Sequence, residues 1–132
     1  GLTDARGMLQ TTRQPVVDRI RVDLNTGAPA VNTWVTSKVF SIKKYGSTGG
    51  RFGLTYSITT GTTNWSARIQ DVTNATTIAT ITNLLNTGGT ITYVEVAMTN
   101  TVPLGAVFEL QVRRINGATG SRIFLYEGYL EY

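Results

Sequence analysis

The chain has 132 residues, a formal net charge of +4, no cysteine and no histidine. That length suffices for one domain with a real core unaided by disulfides or metals. The missing residue types exclude disulfide frameworks, thiolate metal sites and histidine-dependent catalytic triads.

Residues 1–15 show no sustained period, contain Gly7 and end at Pro15, and read as an extended N-terminal arm preceding a single β-sandwich domain over residues 16–132. Termini of this composition fray unless something holds them, so an arm ordered by a neighbouring molecule is expected. Val16–Leu24 alternates, with Ile20, Val22 and Leu24 opposite Arg19, Arg21 and Asp23, as in a half-buried strand. The segment NTGAPA at 25–30 is a loop. Val31–Tyr45 reads as one long strand region. Trp34, Phe40 and Ile42 share one parity and Val31, Val35 and Val39 the other, so a bend or bulge is expected within it.

After the flexible GSTGG turn, Phe52, Leu54, Tyr56 and Ile58 follow at strict two-residue spacing and form the clearest strand. Trp65–Val72 alternates Trp65, Ala67 and Ile69 with Ser66, Arg68 and Gln70, and a tight connection at Thr73–Thr76 predicts a hairpin into Thr77–Thr82. Asn83–Gly89 reads as a loop before a strand over Thr90–Met98. Pro103 and Gly105 fix a bend before Phe108, Leu110 and Val112, and the turn at 115–120 leads into Ser121–Tyr132. Eight strands without a helical period imply an all-β antiparallel sandwich, jelly-roll-like in strand count.

No apolar run approaches the ~18 residues that span a bilayer, and the stretch GLTDARGMLQ lacks the apolar core of a signal peptide. The expectation is a mature soluble chain, with Gly1 left by removal of an initiator methionine. Residues 1–51 carry eight Lys or Arg against three Asp, a sum of +5, while the remainder sums to −1. The charges are scattered singly, as on a solvated strand face, and are not interleaved with aromatics as a nucleic-acid surface would be.

The chain offers little for catalysis. A glycosidase needs two carboxyls at defined separation, and Asp71, Glu95, Glu109, Glu127 and Glu131 lie where alternation alone would expose several of them. Serines and threonines lack a partner base, and GSTGG lacks the following Lys of a phosphate loop. Asp71 with Asn74 and loop carbonyls could hold calcium, although DVTNAT reads more simply as a hairpin turn. Neither enzymatic activity nor a cofactor is expected.

The final strand, RIFLYEGYLEY, is apolar on both parities: Ile123, Leu125 and Tyr129 on one, Phe124, Tyr126, Leu130 and Tyr132 on the other. A strand covered on both sides and a strand buried against a neighbouring subunit both explain this. A third explanation is sugar-binding platforms, with Tyr126, Tyr129, Tyr132, Trp34 and Trp65 as the aromatic candidates.

WSARIQDVTNATTIATI at 65–81, VPLGAVFELQVRR at 102–114 and the aromatic final strand together resemble small β-sandwich virion proteins of tailed bacteriophages. These are capsid decoration and fibre-tip modules, and the ending is also similar to trimeric tumour-necrosis-factor-like heads. The resemblance implies a capsid decoration (cement) protein on the virion exterior. It would be a homo-oligomer, expected as a trimer, that binds the major capsid protein. The resemblance carries over no functional residue; from the basic N-terminal segment and the two-sided final strand themselves, the assembly interface is expected to comprise Arg6, Arg13, Arg19 and Arg21 together with Phe124, Tyr126, Leu130 and Tyr132. The alternatives are a carbohydrate-binding module or receptor-binding tip recognising surface glycans, and an extracellular filament subunit in which Val16–Leu24 is donated to a neighbour's sheet.

Overall fold

Alternation of apolar and polar residues gives each segment one face to bury, and two such faces packed together form a sandwich. The computed structural model describes residues 13–23 through their backbone, and 31–42, 50–59, 63–116 and 122–132. Among these residues there are eight strands: β1 (Arg13–Asp23), β2 (Val35–Phe40), β3 (Arg51–Ser57), β4 (Asn64–Asp71), β5 (Thr76–Leu85), β6 (Thr92–Ala97), β7 (Phe108–Asn116) and β8 (Arg122–Glu131).

The strands form two four-stranded antiparallel sheets, ordered β1-β8-β3-β6 and β2-β7-β4-β5. Each of the first four strands pairs with its mirror in the second half: β1 with β8, β2 with β7, β3 with β6, β4 with β5. The chain is therefore one long antiparallel ladder folded at the β4–β5 turn and rolled into two layers, with β3–β8 and β4–β7 pairing closing each sheet. That is the jelly-roll topology.

Phe52, Leu54, Ile58, Trp65, Ile69, Ile78, Leu110 and Ile123 are completely buried between the sheets. The expected inward positions of β3, β4 and β7 are all core residues. At the β4–β5 turn, the Asp71 carboxylate accepts the Asn74 backbone N–H at 2.9 Å and its side-chain amide at 2.8 Å. Ala75 adopts a positive φ of 53°. This is the hairpin reading of DVTNAT, with both carboxylate oxygens engaged in the turn.

Several expected boundaries move, each for a local reason. Strand β1 starts at Arg13, and Arg13, Gln14 and Pro15 already face Glu131, Leu130 and Tyr129 in the ladder. Residues 1–12, the rest of the expected arm, lie outside the described residues. The long strand expected over Val31–Tyr45 is only Val35–Phe40 within the described residues. The register shift between Thr36 and Lys38 is the bulge that lets Val35 and Phe40, of opposite parity, both pack against the core. The loop expected at Asn83–Gly89 begins later, because β5 continues to Leu85. Asn83 takes a φ of 58°, a left-handed conformation that Asn tolerates. The ladder gains one residue on β5 there, between the Ala67↔Ile81 and Trp65↔Leu84 pairs, and Leu84 turns inward.

The two-sided final strand has the same kind of explanation. Leu125 faces Tyr56 and Glu127 faces Thr55, so Tyr126 is an extra residue that reverses the strand's parity. Before it, Ile123 and Leu125 point into the core; after it, Leu130 and Tyr132 do. The outward apolar residues are Phe124, Tyr126 and Tyr129. Leu130 and Tyr132 thus correct the expected outer-face interface, because their side chains are spent inside their own domain.

Candidate functional site

With the core consumed by packing, recognition falls to the outer faces of the two sheets. On the β1-β8-β3-β6 sheet, Gly53 faces Glu95 on one side and Tyr129 on the other. Its lack of a side chain lets two tyrosines lie across it: a Cβ at Gly53 would fall 2.6 Å from Tyr129 Cζ and 2.6 Å from Tyr93 Oη. The Tyr93 and Tyr129 rings stack with centroids 6.2 Å apart and planes 11° from parallel, and their hydroxyls are hydrogen-bonded to each other.

The two hydroxyl protons are shared between this contact and one acceptor, Glu95 Oε2, which lies 2.7 Å from the Tyr93 hydroxyl and 3.0 Å from that of Tyr129, while Arg51 Nε donates to Glu95 Oε1 at 2.7 Å. The bond from Tyr93, then those from Tyr129 and Arg51, holds the Glu95 carboxyl below its ordinary range. Desolvation, followed by the bonds to Tyr129 and Glu95, pushes the Tyr93 phenol well above its own. Tyr93 nonetheless keeps 48% of its surface exposed. The cluster is a closed network with one flat aromatic side facing solvent.

The outer face of the β2-β7-β4-β5 sheet is built differently. Arg68 and Arg113 project from β4 and β7, and both guanidinium groups lie against the Trp34 indole, 4.2 and 4.5 Å from its centroid. Arg68 is oriented by Gln111: its Nε donates to Gln111 Oε1 at 2.7 Å. Gln111 Nε2 in turn donates to Glu109 Oε1 at 2.8 Å, which also accepts the Thr36 hydroxyl at 2.5 Å. Those two bonds, that from Thr36 first, hold the Glu109 carboxyl below its ordinary range. Arg68 is held below its usual value by desolvation and then by the neighbouring Arg113 charge. Arg113 Nε is buried with no hydrogen-bond partner among the described residues.

The structure separates the sequence-predicted site residues. Arg13, Arg19 and Arg21 lie on β1, an edge strand whose backbone pairs with β8 of the same chain. Residues 16–23 are therefore already part of their own sheet, which counts against their donation to a neighbour. Arg6 lies outside the described residues. Arg21 and Phe124 occupy facing ladder positions. Phe124 and Tyr126 are half-buried, and the Tyr126 hydroxyl bonds the buried Ser57 hydroxyl at 2.8 Å.

Of the aromatic platform candidates, Trp65 is completely buried, Tyr132 and Tyr129 nearly so, and Trp34 carries two guanidinium groups. The exposed ring is Tyr93, which sequence reasoning did not single out. Its signal was the absence of a side chain at Gly53, legible only once the β3–β6–β8 register is known. A polar cleft at the β4–β5 turn is lined by Asp71, Asn74, Thr76, Asn100, Thr101 and Pro103. Among the described residues no group of three or more acidic side chains is placed to hold a metal ion.

No protein-family model matches the chain, and no curated protein does so by sequence. Solved structures do match. A chain of the infectious bursal disease virus particle aligns with a TM-score of 0.58 at 11% identity, covering 92% of this chain and 30% of that one. The D431N VP2 protein of the same virus, in derived T=1 particles, gives 0.58 at 12% identity, covering 92% and 31%. The C-terminal CBM6 of the LamC laminarinase from Zobellia galactanivorans gives 0.49 at 12% identity, covering 93% and 100%. The chain spans about a third of the length of the virus-particle chains it matches. What this protein shares with them is the fold, a jelly-roll β-sandwich.

Proposed function

We propose that this protein is a non-enzymatic structural component of a virion, a capsid decoration protein that acts as a homo-oligomer on the particle exterior. The observation that carries this reading is the complete eight-strand wrap, β1-β8-β3-β6 on β2-β7-β4-β5, shared over 92% of the chain with a virus-particle protein. Fold alone does not dictate function, so the reading also rests on surface chemistry. Phe124 and Tyr126 lie on the outer face of β8, beside the β1 edge that carries Arg13, Arg19 and Arg21. Large side chains of this kind anchor subunit interfaces. In this reading residues 1–12 supply contacts to a neighbouring subunit or to the major capsid protein.

The test is solution mass by light scattering across a concentration series, for the full chain, a variant lacking residues 1–12 and Phe124→Asp. The deletion stops at residue 12 because Arg13 already belongs to the ladder. A discrete trimer that loses mass in either variant is expected. A full chain that stays monomeric at every concentration would overturn the oligomeric reading, and capsid binding undiminished by the deletion would overturn the arm's role.

A second reading, glycan binding, is favoured by Tyr93, whose exposed ring is held rigid beside a carboxylate and a guanidinium, a sugar-stacking arrangement. Oligosaccharide binding that disappears in Tyr93→Ala would support it over the first.

A further inference from the structure

We propose that the outer face of the β2-β7-β4-β5 sheet holds a binding site for an oxyanion, a carboxylate or phosphate group, formed by Arg68 and Arg113 with the Trp34 indole as its wall. The assignment does not rest on the virion reading. Like charges brought together on one indole repel, and such pairs normally carry a carboxylate partner. Here neither guanidinium has an ion-pair partner among the described residues. The described carboxylate on this outer face, Glu109, accepts hydrogen bonds from Thr36 and Gln111.

Glu109 thus acts on Arg68 only through the neutral Gln111 amide. The relay from Thr36 through Glu109 and Gln111 to Arg68 Nε fixes the guanidinium's orientation without neutralising it. Arg68 Nη1 reaches Thr77 Oγ1 only at 3.5 Å, a weak contact. Arg113 makes no hydrogen bond to any described residue, and its buried Nε is left without an acceptor. That Nε has almost no accessible surface and lies out of a ligand's reach, so the donors open to an oxyanion are the terminal Nη groups, and guanidinium groups match oxyanions in a two-point geometry. Stacking on the indole pre-positions both cations. The face therefore offers fixed, unspent donors of one charge, which an oxyanion completes.

The chain has two tryptophans, so the indole N–H region of a proton–nitrogen correlation spectrum holds two signals, assigned by Trp34→Phe. Sodium phosphate and sodium glutarate are titrated separately, against sodium chloride at matched ionic strength. A saturable shift of the Trp34 signal with either oxyanion, beyond that given by chloride, is expected. The Trp65 signal from the core should stay fixed and report an intact fold. In Arg113→Gln the apparent affinity should fall at least tenfold. Arg68→Lys, which retains charge but not the fork, should fall severalfold and serves where Arg113→Gln does not fold. A shift that chloride reproduces, or one that persists unchanged in folded Arg113→Gln or Arg68→Lys, would overturn the site.

Discussion

The two outer sheet faces are built on the same strand alternation, yet they resolve their polar groups in opposite ways. On the β1-β8-β3-β6 face one carboxylate, Glu95, accepts from Arg51 and from the hydrogen-bonded hydroxyl pair of Tyr93 and Tyr129. On the β2-β7-β4-β5 face two guanidinium groups share an indole and lack a carboxylate partner among the described residues. The first arrangement is satisfied within the chain; the second leaves donors for something else. Burial and exposure alone do not distinguish them, because both are half-open surfaces. The difference lies in whether donors and acceptors balance.

Breaking the first face at its base should give the largest effect. Gly53→Ala places a Cβ against the Tyr129 ring and the Tyr93 hydroxyl, so both rings must move. Overpacking of this kind costs about 1–3 kcal/mol, measurable as a lower urea midpoint. Tyr126→Phe, beside the same face, strands the Ser57 hydroxyl and should cost about 1 kcal/mol in the same assay.

The pH dependence sharpens the contrast. Glu95 is depressed in the folded state, so its contribution is present above the unfolded carboxylate value and is lost as pH falls through the folded one. Tyr93 is raised. Above the ordinary tyrosine value, ~10, the unfolded chain ionises while the folded phenol does not, and stability falls. Glu95→Gln should flatten the acid limb of a stability profile, and Tyr93→Phe the alkaline limb.

The smallest effect, and the most diagnostic, is expected on the second face. Arg113→Gln relieves repulsion with Arg68 at the expense of one indole contact. Thermal unfolding should stay within about 0.5 kcal/mol of the parent. A clear loss of stability would show that the arginine pair is structural and that its charges are already compensated.

Much of the architecture was legible beforehand because strand periodicity is written directly into side-chain choice. Phe52, Leu54, Tyr56 and Ile58 could bury only one face, and they do. Bulges were less legible, since an extra residue leaves the local composition unchanged. The Val31–Tyr45 parity conflict did announce one, whereas in the final strand the reversal at Tyr126 was open to a reading as a subunit interface. Leu130 illustrates the cost of that ambiguity: its parity matched Phe124, yet it lies in the core. The candidate sites were scarcely legible. Gly53 and Tyr93 are 40 positions apart in the chain, and Trp34 meets Arg68 and Arg113 only because β2, β7 and β4 are neighbours.

By itself, the sequence determined an all-β sandwich of eight strands, because two-residue periodicity and turn residues act locally. The tertiary structure alone decided which strands pair, where the bulges reverse a face, and which polar groups meet. Those are set by ladder register between segments distant in the chain, where one residue's slip moves every side chain to the opposite face.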